Sequence, residues 1–311
     1  MTERATRYSS AKFIQPSKIL DSLSVTTITA KLARQLVVPR LASSKKGDNG
    51  IILVIGGSRL YHGAPVLTSI AALRSGADLV YTGVPRSIIT AVRAFSPSII
   101  AIPLADEKLT IGSANRLMAT MPKKADAAAI GMGMSIAKRE ALITLVKLLK
   151  AAGTKILLDA SALIPEILDE ISGTNTVVTP HFGEYKRLFG KGPGSALDDR
   201  VLNVKTVAKE YRITVLLKGA IDIVSDGEQT GLNKTHNCAM TVGGTGDVLS
   251  GVAVCLIAKM RPFEASILAS YFNGLAGNLA YKRIGLHMMP TDLVDNLPTA
   301  MKKFDRINSR G

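Results

Sequence analysis

Asp247 is the residue whose surroundings speak most directly of chemistry. It ends the run Val242-Gly243-Gly244-Thr245-Gly246-Asp247 and leads into the apolar stretch Val248 to Ala258. Each Gly costs about 1 kcal/mol against Ala inside a helix, so the glycines here are a poor start for stability alone. They let backbone N–H groups approach an anion closely, and a helix N-terminus adds unpaired donors and about half a positive charge. A carboxylate in such a turn has two readings. It caps the helix, or it takes the proton of a hydroxyl that attacks a phosphoryl group held by the turn.

Six more residues fall where chemistry is plausible and a structural role is also available. His181 follows Pro180 just past a strand, in Thr179-Pro180-His181-Phe182-Gly183-Glu184, and reads as a ligand contact or a structural histidine. Glu184 also suits the first turn of a helix. Lys218 ends a buried apolar strand, where its ammonium needs a phosphate or a carboxylate partner. Asp159 ends another strand; it orients groups, helps hold Mg²⁺ through water, or caps the next helix. Asn273 and Asn278 lie on a later helix, in a base pocket or in ordinary packing.

The elements that must position these groups alternate. Strands are expected at Ile51–Ile55, Leu79–Thr82, Ile99–Leu104, Ala127–Ile130, Lys155–Leu158, Thr176–Val178 and Thr214–Leu217. Helices are expected at Thr29–Val38, Pro65–Ser75, Ser87–Phe95, through Leu117, Ala137–Lys150 and Leu197–Tyr211. This alternation predicts an α/β fold with a mostly parallel central sheet and helices on both faces. Glycine and polar signals recur at the C-terminal ends of the strands, the edge where such sheets bind ligands. Gly56-Gly57-Ser58 after the first strand is one example, although it is not a G-x-G-x-x-G fingerprint. A hairpin, Ile221–Ser225 with Gln229–Asn233, precedes the glycine turn. Helices at Val248–Ala258, Pro262–Ile284 and near Asp292–Phe304 follow it. The expected organisation is a flexible segment over 1–24, one domain over 25–306 and a disordered tail over 307–311.

Composition narrows the classes. The 311 residues are 47% hydrophobic, enough for a substantial core, with 5% aromatics and no Trp. The formal charge of +15 favours phosphorylated ligands. Its scatter, without long Lys/Arg runs or interleaved aromatics, argues against nucleic acid. Cys238 and Cys255 make no disulfide framework, and His-rich metal spacing is absent, so no metal ligands are assigned. The longest apolar run is too short for a bilayer, and a reducing cytoplasmic setting is expected.

Nine segments then carry a family. They are Lys46-Gly47-Asp48-Asn49-Gly50, Gly56-Gly57-Ser58, Tyr61-x-Gly63-Ala64, Arg74-Ser75-Gly76-Ala77, Gly131-x-Gly133, Leu158-Asp159-Ala160, Thr179-Pro180-His181-x-Gly183-Glu184, Leu217-Lys218-Gly219-Ala220 and Gly243 to Gly251, in that order. Together they closely resemble the ADP/ATP-dependent NAD(P)H-hydrate dehydratases, the carbohydrate-kinase-like domain of the YjeF type. The resemblance covers about residues 27 to 303. It implies a ribokinase-like fold and the repair of hydrated NADH and NADPH with ADP or ATP as phosphoryl donor and Mg²⁺ as cofactor. It maps substrate contacts onto Ala64, Gly133, His181 and Asp247. Nucleotide contacts map onto Lys218, Gly219, Ala220, Ile221 and Asp222, and onto Gly244, Thr245 and Gly246 of the turn. Asp247 is then the catalytic base.

The pattern departs at Ser161, where relatives commonly carry a second acid. Only about 45 residues precede the first segment, so the epimerase activity of many relatives is expected to be missing from this chain. Relatives suggest a homo-oligomer, a tetramer or larger. The lack of a clear targeting peptide leans towards ADP. The rivals are a vitamin-precursor kinase of the same fold, a basic nucleic-acid-binding protein, and a Rossmann dehydrogenase, the last disfavoured by the missing fingerprint.

Overall fold

A computed structural model describes residues 25–309. Its centre is a ten-stranded sheet of order β1-β11-β10-β9-β8-β7-β6-β3-β4-β5. The strands are β1 (Val25–Thr27), β3 (Ile51–Ile55), β4 (Leu79–Pro85), β5 (Ile100–Leu104), β6 (Ala127–Ile130), β7 (Lys155–Leu158), β8 (Val177–Val178), β9 (Thr214–Leu217), β10 (Asp222–Ser225) and β11 (Thr230–Asn233). A separate pair joins β2 (Arg40–Leu41) to β12 (Ile307–Asn308). Only β10 runs against its neighbours in the large sheet. β1 pairs parallel with β11, Val25 opposite Thr230.

Alternation along the strands sorts their side chains onto two faces, because successive Cβ atoms point to opposite sides of a strand. Ile52, Val54, Val80, Ala127, Ala129, Leu157, Val177, Leu216 and Val224 enter one core. That core is covered by α1 (Ala30–Leu36), α2 (Gly63–Arg74), α9 (Thr245–Lys259), α10 (Pro262–Ile284) and α11 (Pro290–Lys302). Leu53, Ile55, Tyr81, Ala128, Ile130, Leu158, Val215 and Leu217 enter the other. There the cover is α4 (Ile111–Thr120), α5 (Arg139–Ala151), α6 (Leu168–Ile171), α7 (Phe182–Phe189) and α8 (Leu197–Tyr211). The short α3 (Ile89–Phe95) closes a small cluster beside β4 with Val84, Val92 and Ile99.

α9 is apolar all round and is buried from Val248 to Ile257, between α2 and α10 and against the sheet. A helix without a polar face is a core helix, and its burial fixes the turn that precedes it.

Several boundaries differ from the sequence expectation. Ile307–Asn308, read as part of a disordered tail, pairs with Arg40–Leu41. The three-residue strand β1 was not foreseen, being too short to show a period and held by β11 from far along the chain. β4 runs on past Thr82 to Pro85 because β5 pairs with it to the end. The helix expected from Ser87 opens as a 3-10 turn over Arg86–Ile88. The segment 1–24 lies outside the described residues. No helix among the described residues is long and apolar enough to cross a membrane.

Candidate functional site

The glycine turn enters α9 with Gly244 as the residue before the first helical one, at φ 103°. That backbone suits glycine, and a Cβ there would lie 2.8 Å from Pro290 Cγ and 2.9 Å from Leu67 Cδ1. No side chain caps this end. The first intrahelical bond runs from Val248 N to Gly244 O, 3.1 Å. The amides of Thr245, Gly246 and Asp247 therefore remain as donors, as the geometry of any helix start requires. Asp247 stands in the first turn and does not cap it, which sets aside the first of its two sequence readings. Thr245 uses its hydroxyl on the carbonyls of Met240 (2.8 Å) and Val242 (3.1 Å), so it ties the turn to the preceding loop and offers its amide outward.

Beside the turn, three strand ends bring charge together. Lys218, after β9, donates to Asp159 Oδ1 at 2.8 Å and lies 3.6 Å from Glu184 Oε2. Asp159, after β7, is 2% exposed and also accepts from Ala160 N (2.9 Å) and from Ser250 Oγ (2.8 Å). Burial works against the Lys218 charge, but Asp159 and then Glu184 hold its pKa above the ordinary lysine value. A Cβ on Gly246 would sit 3.5 Å from Lys218 Nζ, so the ammonium lies under the turn.

Asp247 forms no ion pair within 4 Å among the described residues. Burial, and then repulsion from Asp159 and Glu184, push its pKa up to about 7, with Lys218 pulling the other way. A carboxylate near neutrality is poised to accept a proton at working pH.

His181 begins α7. Its Nδ1 accepts from Gly183 N (3.0 Å) and Glu184 N (3.4 Å), while Glu184 Oε2 accepts from His181 N (2.8 Å). This is a capping box. An accepting Nδ1 places the proton of the neutral ring on Nε2, which lies 3.4 Å from Glu184 Oε1 on a largely exposed side chain.

Comparison with known proteins decides the family. Residues 52–299 match the family model described as NAD(P)H-hydrate dehydratase. The chain belongs to the NAD(P)H-hydrate dehydratase family. It is 51% identical over 282 residues to the ADP-dependent (S)-NAD(P)H-hydrate dehydratase of Nitrosopumilus maritimus (strain SCM1), over 90% of this chain and 98% of that one. Its structure is similar to the ADP/ATP-dependent NAD(P)H-hydrate dehydratase from Bacillus subtilis co-crystallized with ATP/Mg²⁺. The TM-score is 0.79 at 25% identity, over 91% of this chain and 100% of that one. A ribokinase-like superfamily protein from Enterococcus faecalis V583 shares the fold at a TM-score of 0.76 and 23% identity, over 91% of this chain and 97% of that one.

The other positions marked in this dehydratase-family sequence fall around the same edge. Gly133 stands against Tyr61 and Ala64: a Cβ on it would lie 2.6 Å from Tyr61 Cβ and 3.1 Å from Ala64 Cβ. Gly219 N donates to Asp222 Oδ1 (3.0 Å), and Ser270 Oγ donates to Asp222 Oδ2 (2.6 Å). The Asp222 carboxylate is thus turned back into the protein, its pKa raised by burial, while Gly219 and Ala220 of the same loop are exposed. His236 Nε2 donates to Ala220 O (2.7 Å) and fixes the same loop, while Ile221 packs on the core.

Asn278 accepts from Asn237 Nδ2 (2.8 Å) and so steadies the loop before the turn, whereas Asn273 is buried with its Oδ1 unpartnered. Ser161 donates to Gly131 O (2.7 Å), a structural bond. Donors engage both oxygens of Asp159, an arrangement that suits the orienting role among its sequence readings.

Two participants escaped sequence reading. Ser250 lies three residues after Asp247, a spacing that puts both on one helix face. Thr68 of α2 donates to the Asp247 carbonyl (3.0 Å), a contact across most of the chain that no local signal carries.

Proposed function

We propose that the chain catalyses the ADP-dependent dehydration of the S form of hydrated NADH and NADPH, a nicotinamide-nucleotide repair reaction. The observation that carries this is Asp247: a carboxylate with a pKa of about 7 in the first turn of an uncapped helix, beside the Lys218 ammonium. ADP rather than ATP as donor is supported by the ADP-dependent relative at 51% identity.

Hydroxide is a poor leaving group, since water has a pKa of about 15.7, whereas phosphate has a second pKa of about 6. The hydroxyl at C6 of the hydrated ring is therefore phosphorylated first. Asp247 accepts its proton as the oxygen attacks the terminal phosphorus of the donor, and the bond to the bridging oxygen breaks to release AMP. The amides of Thr245 to Asp247 and the Lys218 ammonium hold the transferring phosphoryl. The ring nitrogen lone pair then expels phosphate from C6, and loss of the C5 proton restores the dihydronicotinamide. His181, through Nε2–H, with Ala64 and Gly133 lines the ring side; Gly219 to Asp222 line the nucleotide side.

Mg²⁺ supplies charge neutralisation on the donor. Among the described residues no group of three metal-ligating side chains could hold it. The site fits an ion carried in by the nucleotide phosphates, as Mg²⁺ commonly is. A reducing cytoplasmic setting is supported by two unpaired cysteines. A homo-oligomer, a tetramer or larger, is supported by the exposed apolar side chains Leu60, Tyr61, Phe182, Leu286 and Met289; light scattering tests it.

The deciding experiment mixes purified protein with hydrated NADH and Mg²⁺, adds ADP or ATP separately, and follows the return of reduced-nicotinamide absorbance. Recovery with ADP and release of AMP are expected. No recovery with either nucleotide, together with a stable phosphorylated vitamin-precursor alcohol, would replace the proposal with a small-molecule kinase.

A further inference from the structure

We infer that Asp159 and Ser250 form a positioning pair for this site: Asp159 holds the Lys218 ammonium beneath the glycine turn and faces Asp247 with a fixed negative charge, and Ser250 locks Asp159 to the helix that carries Asp247. The inference rests on the dehydratase reading for the reaction it serves, but its geometry stands alone.

Asp159 meets three elements at once. It follows β7, takes the Lys218 ammonium from the end of β9 at 2.8 Å, and takes the Ser250 hydroxyl from α9 at 2.8 Å. Asp159 and Ser250 are both shut off from solvent, at 2% and 0% exposure, so neither touches substrate. Each acts through the groups it holds. The backbone adds a second sign. Ala160, next in the chain, is one of two non-glycine residues among those described with positive φ, at 50°. Its carbonyl accepts from Arg187 Nη2 at 2.6 Å. A left-handed conformation at a residue with a Cβ persists only where its surroundings over-determine it, and such residues cluster at functional sites. Beside it, Ala160 N donates to Asp159 Oδ1 at 2.9 Å, a third donor that fixes the carboxylate facing Lys218 and Ser250.

A lysine that only needed neutralising would be served by Glu184, 3.6 Å away. Asp159 adds direction. It fixes the ammonium 3.5 Å from where a Cβ on Gly246 would stand, under the turn. The charged groups acting on Asp247 are Asp159 after β7, Glu184 in α7 and Lys218 after β9. α2 meets Asp247 through the uncharged Thr68 hydroxyl, and α11 meets the turn through Pro290. Among these charges Asp159 is the larger of the two repulsive ones, so it keeps the base protonated to higher pH than burial alone would.

The test uses the full chain with Asp159→Asn and Ser250→Ala, and reads kcat, KM for ADP and the pH profile. It also reads the titration of the Asp247 carboxyl by carbon-13 NMR, assigned with Asp247→Asn. Asp159→Asn is expected to lower kcat about 10–100-fold, more than it raises KM, because a misplaced group loses transition-state contact first. The acid limb of its profile and the Asp247 titration both move to lower pH. Ser250→Ala keeps the Asp159 charge, so its acid limb stays in place while kcat falls about 5-fold, the worth of one hydrogen bond.

An unmoved Asp247 titration in folded Asp159→Asn, with kcat reduced only in step with the folded fraction, overturns the inference. Where Asp159→Asn does not fold, wild-type kcat in Ser250→Ala overturns it. A wild-type protein inactive on hydrated NADH with both nucleotides defeats the dehydratase reading instead, and the carboxyl titration still decides the role of Asp159.

Discussion

Two helices, α7 and α9, begin at the same edge of the sheet in opposite states. α7 closes its own end: the His181 ring and the Glu184 carboxylate satisfy the first amides reciprocally. α9 leaves its end open, with Gly244 in a left-handed conformation and no capping side chain, and places an acid with a raised pKa in the first turn. A cap contributes about 1 kcal/mol, so α9 forgoes local stability and keeps donors free. Its cost is offset by the buried length of the helix, from Val248 to Ile257. The difference separates a histidine that first of all holds a helix end from an aspartate whose carboxylate caps nothing and forms no ion pair among the described residues.

The largest effect expected from breaking this contrast is at Asp247. Asp247→Asn should lose roughly 10²–10⁴-fold in kcat while still binding nucleotide by calorimetry. Near-wild-type turnover would remove Asp247 from its role. The same variant should be more stable than wild type at high pH. The folded pKa of about 7 lies above the unfolded value, so the folded state binds the extra proton between the two. Wild-type stability therefore falls as pH rises through that window and stays low above it. Asp247→Asn escapes this loss, with a rise in Tm of about 2–5 °C at alkaline pH in calorimetry.

Next comes the pH profile of the wild type. The rate should rise with pH through about 7, as Asp247 loses its proton. Gly244→Ala is third in size. A Cβ must accommodate φ 103° and a 2.8 Å approach to Pro290 Cγ. A loss of about 1–3 kcal/mol in denaturant unfolding and of about 10-fold or more in kcat is expected. The smallest effect sharpens the α7 side. His181→Asn keeps a capping oxygen and should hold stability to within about 0.5 kcal/mol, whereas His181→Ala should lose about 1 kcal/mol. Both lose Nε2–H, so both should raise KM for hydrated NADH alike; an unchanged KM in both would leave His181 as a cap alone.

Much of the architecture was legible because hydrophobic runs and turn residues are local. β3, β6, β7, β9, α8 and α10 fall where the pattern of apolar residues and glycines placed them. The strand ends that gather charge were legible for the same reason. β1 and the β2–β12 pair were not: strands of two or three residues carry no period, and their pairing is decided by partners distant in the chain. Within the site, a carboxylate in a glycine turn reads as a cap or a base, and local sequence does not separate them. The cap reading fell to the geometry of the turn: no side chain caps α9, and Gly244 precedes it in a left-handed conformation.

The sequence by itself determined the alternating α/β order, the family signature and the chemical types at the strand ends, since each is written in contiguous residues. Only the tertiary structure decided which carboxylate is free. Asp159 and Asp247 are both aspartates at the same edge. One is held by Lys218 and Ser250, and the other stands unpaired with its pKa raised to about 7. That division depends on burial and on charges contributed by β7, α7 and β9, and long-range electrostatics in a folded interior have no image in local sequence.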